Sequence, residues 1–317
     1  MNVRTNIAWA ALTCCLLGCG GGSGGAGGGA PVAKVSLPAT PDGTVQTVVR
    51  SIGEGKPQAV WTALPKSYQS DVKGLITDFA GKMDKEVWDK SFVVLGKVTK
   101  LAKDKKDFIL NHPFLGMTPL ADKAKKDEAI KNWDAVVQLF DIIVKSDIKT
   151  VDGLKNLDPE KFLGDTVAKL MAESKRIAVV ADKQAEVNKF EKMKEAKVTV
   201  VSSDDKTAKV KIEIPGEEEV EELELTKVED KWLPAKMVTE WSQTIKNAKE
   251  QIADIKIEGK DKTEIMDGLT QVDAALDDLL AAKTQDDFNA AVGKTMGTVT
   301  SIMQGGPPEK EDEDDKK

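Results

Sequence analysis

Three kinds of side chain in this 317-residue chain could do chemistry: a single histidine, three cysteines and a large stock of carboxylates. His112, in Leu110-Asn111-His112-Pro113, is the side chain that titrates nearest neutrality, which is what a general base needs. A nucleophilic triad also asks for a serine or cysteine held in a strained turn. Cys14, Cys15 and Cys19 all fall in the first 19 residues, so the rest of the chain has no thiol. His112 therefore reads as a loop histidine in front of a proline. One histidine and no body cysteine also leave no nitrogen and sulfur set for zinc. Neither a metal nor a cofactor is expected.

The carboxylates are harder to place. Asp71 with Asp78, or Asp277 with Asp278, can be drawn as acid pairs for glycoside hydrolysis. With 53 acidic residues in the chain, many other pairs can be drawn as well. The run Glu217 to Glu224 invites calcium or a basic partner, but glutamates along a strand diverge, whereas calcium needs oxygens that converge at a turn. It reads as a solvated edge that discourages strand addition. The acidic tail, Glu309 to Asp315, reads as a solubilising end. Trp61, Trp88, Trp133 and Trp241 fall on apolar helical stripes, and Trp232 opens a strand. All five read as core rather than as sugar-stacking platforms.

Bulk composition narrows the partners. The chain is 40% hydrophobic and 31% charged, with a formal net charge of −7 and a pI near 5.1. Nucleic acid is not expected, because counterion release needs clustered Lys and Arg, and here lysines alternate with acids. Aromatics make up only 5%, so the core must be mostly aliphatic.

The N-terminus has the order of an export signal. Arg4 supplies the positive end, and Ile7 to Leu17 is an apolar run too short to span a bilayer. Leu16-Leu17-Gly18-Cys19 then precedes Gly20 to Gly29, where eight of ten residues are glycine. That ending resembles the lipobox of bacterial lipoproteins. The resemblance implies cleavage after Gly18, a diacylglyceryl group on Cys19, and a position on the outer side of a bacterial membrane. Gly20 is not aspartate, so the resemblance points to the outer membrane rather than to inner-membrane retention. The glycine run lacks the Lys-Ser/Thr ending of a phosphate loop. It reads as a flexible tether to Pro41, spanning roughly 25 Å over about 20 residues.

From Asp42 the pattern is helical. Asp42 or Thr44 is the expected first cap, and the turn from Gly53 to Lys56 and Pro57 punctuates. Apolar residues recur at steps of three and four along Tyr68-Val72-Leu75-Phe79-Met83 and Trp88-Phe92-Leu95-Val98-Leu101. The same spacing holds for Ile130-Trp133-Val137-Phe140-Val144 and Phe162-Val167-Leu170-Ile177. Near Ala196 the period changes to two, predicting strands whose inward residues are Val198, Val200, Val210, Ile212, Leu223 and Leu225. After Met237 the helical spacing returns, through Ile265-Leu269-Val272-Leu276-Leu279 and Phe288-Val292-Met296.

The fold class expected is α+β, predominantly helical, with amphipathic helices packed on a small antiparallel sheet of about four strands. The stretch "VQTVVRSIGEGKPQAVWTALP", which begins at Val45, and a later sheet ending in "LELTKVEDKWLPAKM" together resemble the nuclear transport factor 2-like family. That resemblance implies a cone of sheet and helices with a pocket. The helical stretch from Lys85 to Lys189 and the last helices are additions to the family's pattern.

The expected division is a signal peptide over 1–18, lipidated Cys19 with its linker over 19–41, and a helical region over 42–190. An antiparallel meander over 191–236, helices over 237–304 packing on the same body and an acidic tail over 305–317 follow. The function expected is a lipid-anchored, non-enzymatic envelope module that binds a protein partner or a small apolar ligand. The alternative is an envelope hydrolase or isomerase that uses carboxylates in a cone-shaped pocket. The second would need an inward Asp or Glu with a raised pKa.

Overall fold

The structure, a computed structural model, describes residues 34–180, 184–217 and 220–303. Cys19, the signal segment, the glycine run and the acidic tail lie outside the described residues.

In chain order the elements begin with α1 (Pro41–Gly53), α2 (Gln58–Ala63), α3 (Lys66–Lys82), α4 (Lys85–Asp104) and α5 (Lys106–Leu110). Two 3-10 turns, Pro113–Met117 and Pro119–Ala121, lead into α6 (Lys123–Val144) and α7 (Val151–Lys155). Next, α8 (Pro159–Phe162) runs through a π turn into α9 (Ala168–Val180), followed by α10 (Gln184–Met193). The strands are β1 (Lys197–Ser203), β2 (Thr207–Glu213), β3 (Glu221–Val228) and β4 (Lys231–Pro234). The last helices are α11 (Ala235–Ala253), α12 (Gly259–Ala281) and α13 (Gln285–Met303). The described residues are thus mostly helical with one four-stranded antiparallel sheet, as the periodicities predict.

It divides into two compact units, each built from two separated stretches. The first joins the described residues up to Lys85 to Lys131–Lys256, and the second joins Glu86–Ile130 to the described residues from Ile257 on. Of the helices after residue 234, α11 belongs to the first unit, while α12 and α13 belong to the second.

In the first unit the strands form a simple meander, β1-β2-β3-β4. Opposed pairs such as Val198 with Ile212 and Val210 with Leu223 put aliphatic residues on one face. Lys209, Lys211, Glu222 and Glu224 alternate to the other, as a half-wet sheet requires. On the inner face, Val45 and Val49 of α1 close over Val198, Ala208, Val210, Ile212, Leu225 and Trp232. A second cluster joins Trp61, Leu64, Tyr68 and Val72 to Leu233, with α11 supplying Met237, Val238 and Trp241.

Val200 keeps the inward register, opposite Val210, but is not covered. A β-bulge between Val200 and Ser202 inserts Val201, and β1 is an edge strand. Val200 and Val201 stay 44% and 53% exposed. Bulges twist an edge away from its neighbours in this way. The glutamate run is also displaced from its expected place: β3 lies between β2 and β4, so Glu222 and Glu224 lie on the open face of a central strand, not at an edge.

The first helix starts earlier than expected. Its cap is Thr40, whose side chain accepts the Gly43 N–H at 3.3 Å, with Pro41 in the first turn where its missing N–H costs nothing. The residues before it are docked on the unit. Leu37 packs against Val48, Val60 and Ala63, and Trp232 Nε1 donates to Ala39 O at 3.0 Å. The linker read as reaching Pro41 is therefore fixed over its last residues.

In the second unit, α4, α12 and α13 share a core of Val94, Leu276, Leu279, Ala282 and Phe288. The α13 start is a reciprocal capping box. Thr284 Oγ1 accepts the Asp287 N–H at 3.1 Å, and Asp287 Oδ2 accepts the Thr284 N–H at 3.1 Å.

Two stripes are rotated from their expected phase. In α4, Val98 is 43% exposed while Thr99 is buried. The Thr99 hydroxyl donates back to Leu95 O at 2.8 Å, so its polar group is satisfied and its methyl can enter the core. In α6, Ile130 and Phe140 are 38% and 45% exposed, and Asn132, Ala135 and Ile142 take the buried positions.

Candidate functional site

The inward face of the sheet is where the family resemblance implies a pocket. It is filled: Val45, Val49 and Trp232 pack directly on Val198, Ala208, Val210 and Leu225, with Met193, Ile214 and Leu223 partly buried around them. Titratable groups share that face at both ends of β3: Lys227, opposite Trp232, holds its Nζ 5.5 Å from the indole, and Glu221 lies at the other end. Glu221 pairs in register with Ile212, two residues before Leu223, so the pleat turns it to the same side. Desolvation raises its carboxyl above the ordinary carboxylate range, although the residue as a whole is exposed at the open end of the strand. Sequence reasoning missed Glu221 by treating the glutamate run as one outward block. Its strict alternation with Leu223 and Leu225 was the available signal.

A second cluster joins α3 to α11. The Tyr68 and Trp241 rings stack at 4.0 Å and 7°, and Trp241 Nε1 donates to Asp71 Oδ2 at 2.8 Å. Burial, and then the Asp71 charge, push the Tyr68 hydroxyl pKa up. The pair fixes one helix to the other, and Asp71 serves as an acceptor for the indole rather than as half of an acid pair. Asp78 lies exposed further along α3.

The remaining candidates are also engaged locally. Asp277 pairs with Lys97 at 2.7 Å, and Asp278 pairs with Lys294 at 3.1 Å, so adjacent carboxylates serve different lysines. His112 caps the first 3-10 turn: its Nδ1 accepts the Phe114 N–H at 3.1 Å, and its ring meets Phe288 edge-on at 6.2 Å. Glu222 pairs with Lys209 across the strands at 2.6 Å, and Glu217 reaches Lys192 at 3.7 Å. Among the described residues, no group of three or more His, Cys, Asp or Glu is placed to hold a metal ion.

A depression of about 440 Å³ lies between the end of α12 and the start of α13, lined by Ala281, Ala282, Ala290 and Ala291. Its rim carries the Asp278–Lys294 pair and the Asp287 cap. The Thr284 hydroxyl, then the Lys283 and Thr284 N–H groups, hold the Asp287 carboxyl below its ordinary range. The Asp278 and Lys294 charges are thus spent on one another.

Fold and site define a helical α+β protein whose sheet face is packed rather than hollow. Comparison with protein-family models, curated proteins and solved structures finds no match.

Proposed function

We propose that this is a lipid-anchored protein of the bacterial envelope, acting as a non-enzymatic binding module. The observation that carries the reading is Leu16-Leu17-Gly18-Cys19 followed at once by the glycine run. An acyl group on Cys19 and a tether would hold the two units beside a membrane. Packing supports a surface role over an enclosed site, because the inner face of the sheet is occupied by Val45, Val49 and Trp232. Cys19→Ser should move the protein from the membrane fraction to the soluble fraction and remove the acyl mass from its N-terminal peptide. An N-terminal peptide of the unaltered chain that carries no acyl mass on Cys19 overturns the anchor.

Glu221 favours a second reading, an envelope hydrolase or isomerase working at the open end of the sheet. It is a carboxyl on the apolar face of the sheet, opposite Ile212, with its pKa raised by desolvation, and a raised carboxyl is what such an enzyme would need. Glu221→Gln would abolish such an activity while leaving the fold intact.

A further inference from the structure

The connection between α5 and α6 shows apolar side chains to water. Met117 is 84% exposed and Phe114 is 42% exposed. Both belong to the 3-10 turn Pro113–Met117, where residues three apart eclipse, so the two side chains stand one above the other on one face. Leu115 and Leu120, in the same pair of turns, are half-buried.

The loop is held in this shape from several points. His112 Nδ1 caps Phe114, Thr118 Oγ1 accepts the Leu120 N–H at 3.2 Å, and Pro113 and Pro119 set the backbone at the start of each turn. A connector needs none of this. Polar residues would close the same gap without keeping a methionine and a phenylalanine in water.

The charges beside the loop point the same way. From Lys100 to Asp127 there are seven lysines against four aspartates, in a chain whose net charge is −7. Lys123 and Lys125 are exposed at the start of α6, whose first turn contains no acid. Lysines there oppose the helix macrodipole, so the local choice conflicts with helix stability. Asp122 Oδ1 caps the Lys125 N–H at 3.0 Å, and Asp104 is paired with Lys100. An anionic surface would offset both the helix end and the lysines while covering the two apolar side chains. An apolar face flanked by Lys is how interfacial segments hold anionic lipid.

We propose that residues 113–121 form a second membrane contact, with Phe114 and Met117 entering the headgroup boundary of an anionic phospholipid bilayer and Lys123 and Lys125 resting on its phosphates. This rests on the envelope reading, which places such a bilayer within reach. It would give the second unit a preferred face toward the membrane, which a tether alone does not supply.

The test uses the chain from residue 19 on, the form the anchor reading leaves after cleavage, carrying Cys19→Ser, alone and with Met117→Asp, Met117→Trp or Lys123→Glu/Lys125→Glu added, each checked for native circular dichroism. Vesicles containing phosphatidylglycerol are compared with vesicles of phosphatidylcholine alone. Met117→Asp should lower partitioning onto the phosphatidylglycerol vesicles by about tenfold, the scale of one buried apolar side chain. The double charge reversal should lower it as well and flatten its salt dependence. Indole fluorescence of Met117→Trp, corrected for the parent, should shift to the blue and be quenched by brominated lipid. Equal partitioning of parent and Met117→Asp, with no added quenching, overturns the proposal and leaves the patch to a protein partner. The anchor is scored separately, by acyl mass on Cys19 of the unaltered chain, so either reading can fail while the other stands.

Discussion

In the first unit Leu64, Val72, Leu225 and Leu233 keep 1% or less of their surface in water, while in the second Phe288, Leu276 and Leu279 keep 3%, 6% and 7%. All of the largest fully buried side chains, Pro65, Val151 and Val210 included, belong to the first unit. The difference follows from the elements. A sheet presents a continuous surface whose alternate residues α1 and α11 can cover, whereas the core shared by α4, α12 and α13 is bounded on its flank by charge. There Lys90 and Lys97 meet Asp273 at 2.5 and 2.7 Å, and Asp273 is only 18% exposed. One unit is held mainly by dry packing, and the other combines a shallower core with a partly buried ion cluster.

The sharpest way to break that contrast is to make the same cut on both sides of it. Leu233→Ala, within the cluster of Trp61, Leu64, Tyr68 and Val72, should cost about 4–5 kcal/mol, near the upper end for a leucine with no room to relax. Leu279→Ala should cost about 2–3 kcal/mol, because its site already borders water. Urea unfolding followed by hydrogen exchange reads both, unit by unit. Equal losses would show that depth of burial does not separate the units.

A smaller effect belongs to Trp232→Phe, which keeps most of the ring in the sheet core but removes the donor to Ala39 O. About 1 kcal/mol should be lost, with faster exchange at residues 37–40 and earlier proteolysis there.

The smallest effect at neutral pH is expected from Asp273→Asn, which instead changes the acid limb. Hydrogen bonds from Lys90, then Lys97, hold the Asp273 carboxyl below its ordinary value. A depressed folded-state pKa contributes stability above the unfolded value, near 4, and that contribution is lost as pH falls through the folded value. Thermal unfolding of the second unit should therefore weaken from about pH 4 downward in the parent and change less in the variant. Identical acid profiles would remove the ion cluster from the comparison.

Much of the first unit is legible in the sequence. The change of period near Ala196, the polar turn around Asp204 and the Pro215-Gly216 break, where Gly216 takes φ +75°, mark strands and turns that the sheet contains. The second unit is less legible. Thr99 enters the core only because its hydroxyl bonds within its own helix, which a reading by residue type does not register. The first unit has its own misreading in α6, where Phe140 is 45% exposed and Asn132 is buried. Pairs such as Lys90 with Asp273 are 183 residues apart and leave no local trace. Of the candidate site residues, Glu221 was recoverable from its alternation with Leu223, while the indole contact of Asp71 depends on how α3 meets α11.

The docked segment ahead of α1 also sets where mechanical load would act. Tension along the chain from its N-terminal side would reach the first unit at Leu37 and Ala39, before it reached any helix. The Trp232 indole there belongs to edge strand β4, and β4 passes without a loop into α11 at Pro234. A pull would be shared between the Leu37 contact, the indole hydrogen bond and the Thr40 cap before α1 began to unwind. The segment thus works as strain relief, in the way a cable is clamped before it enters its housing.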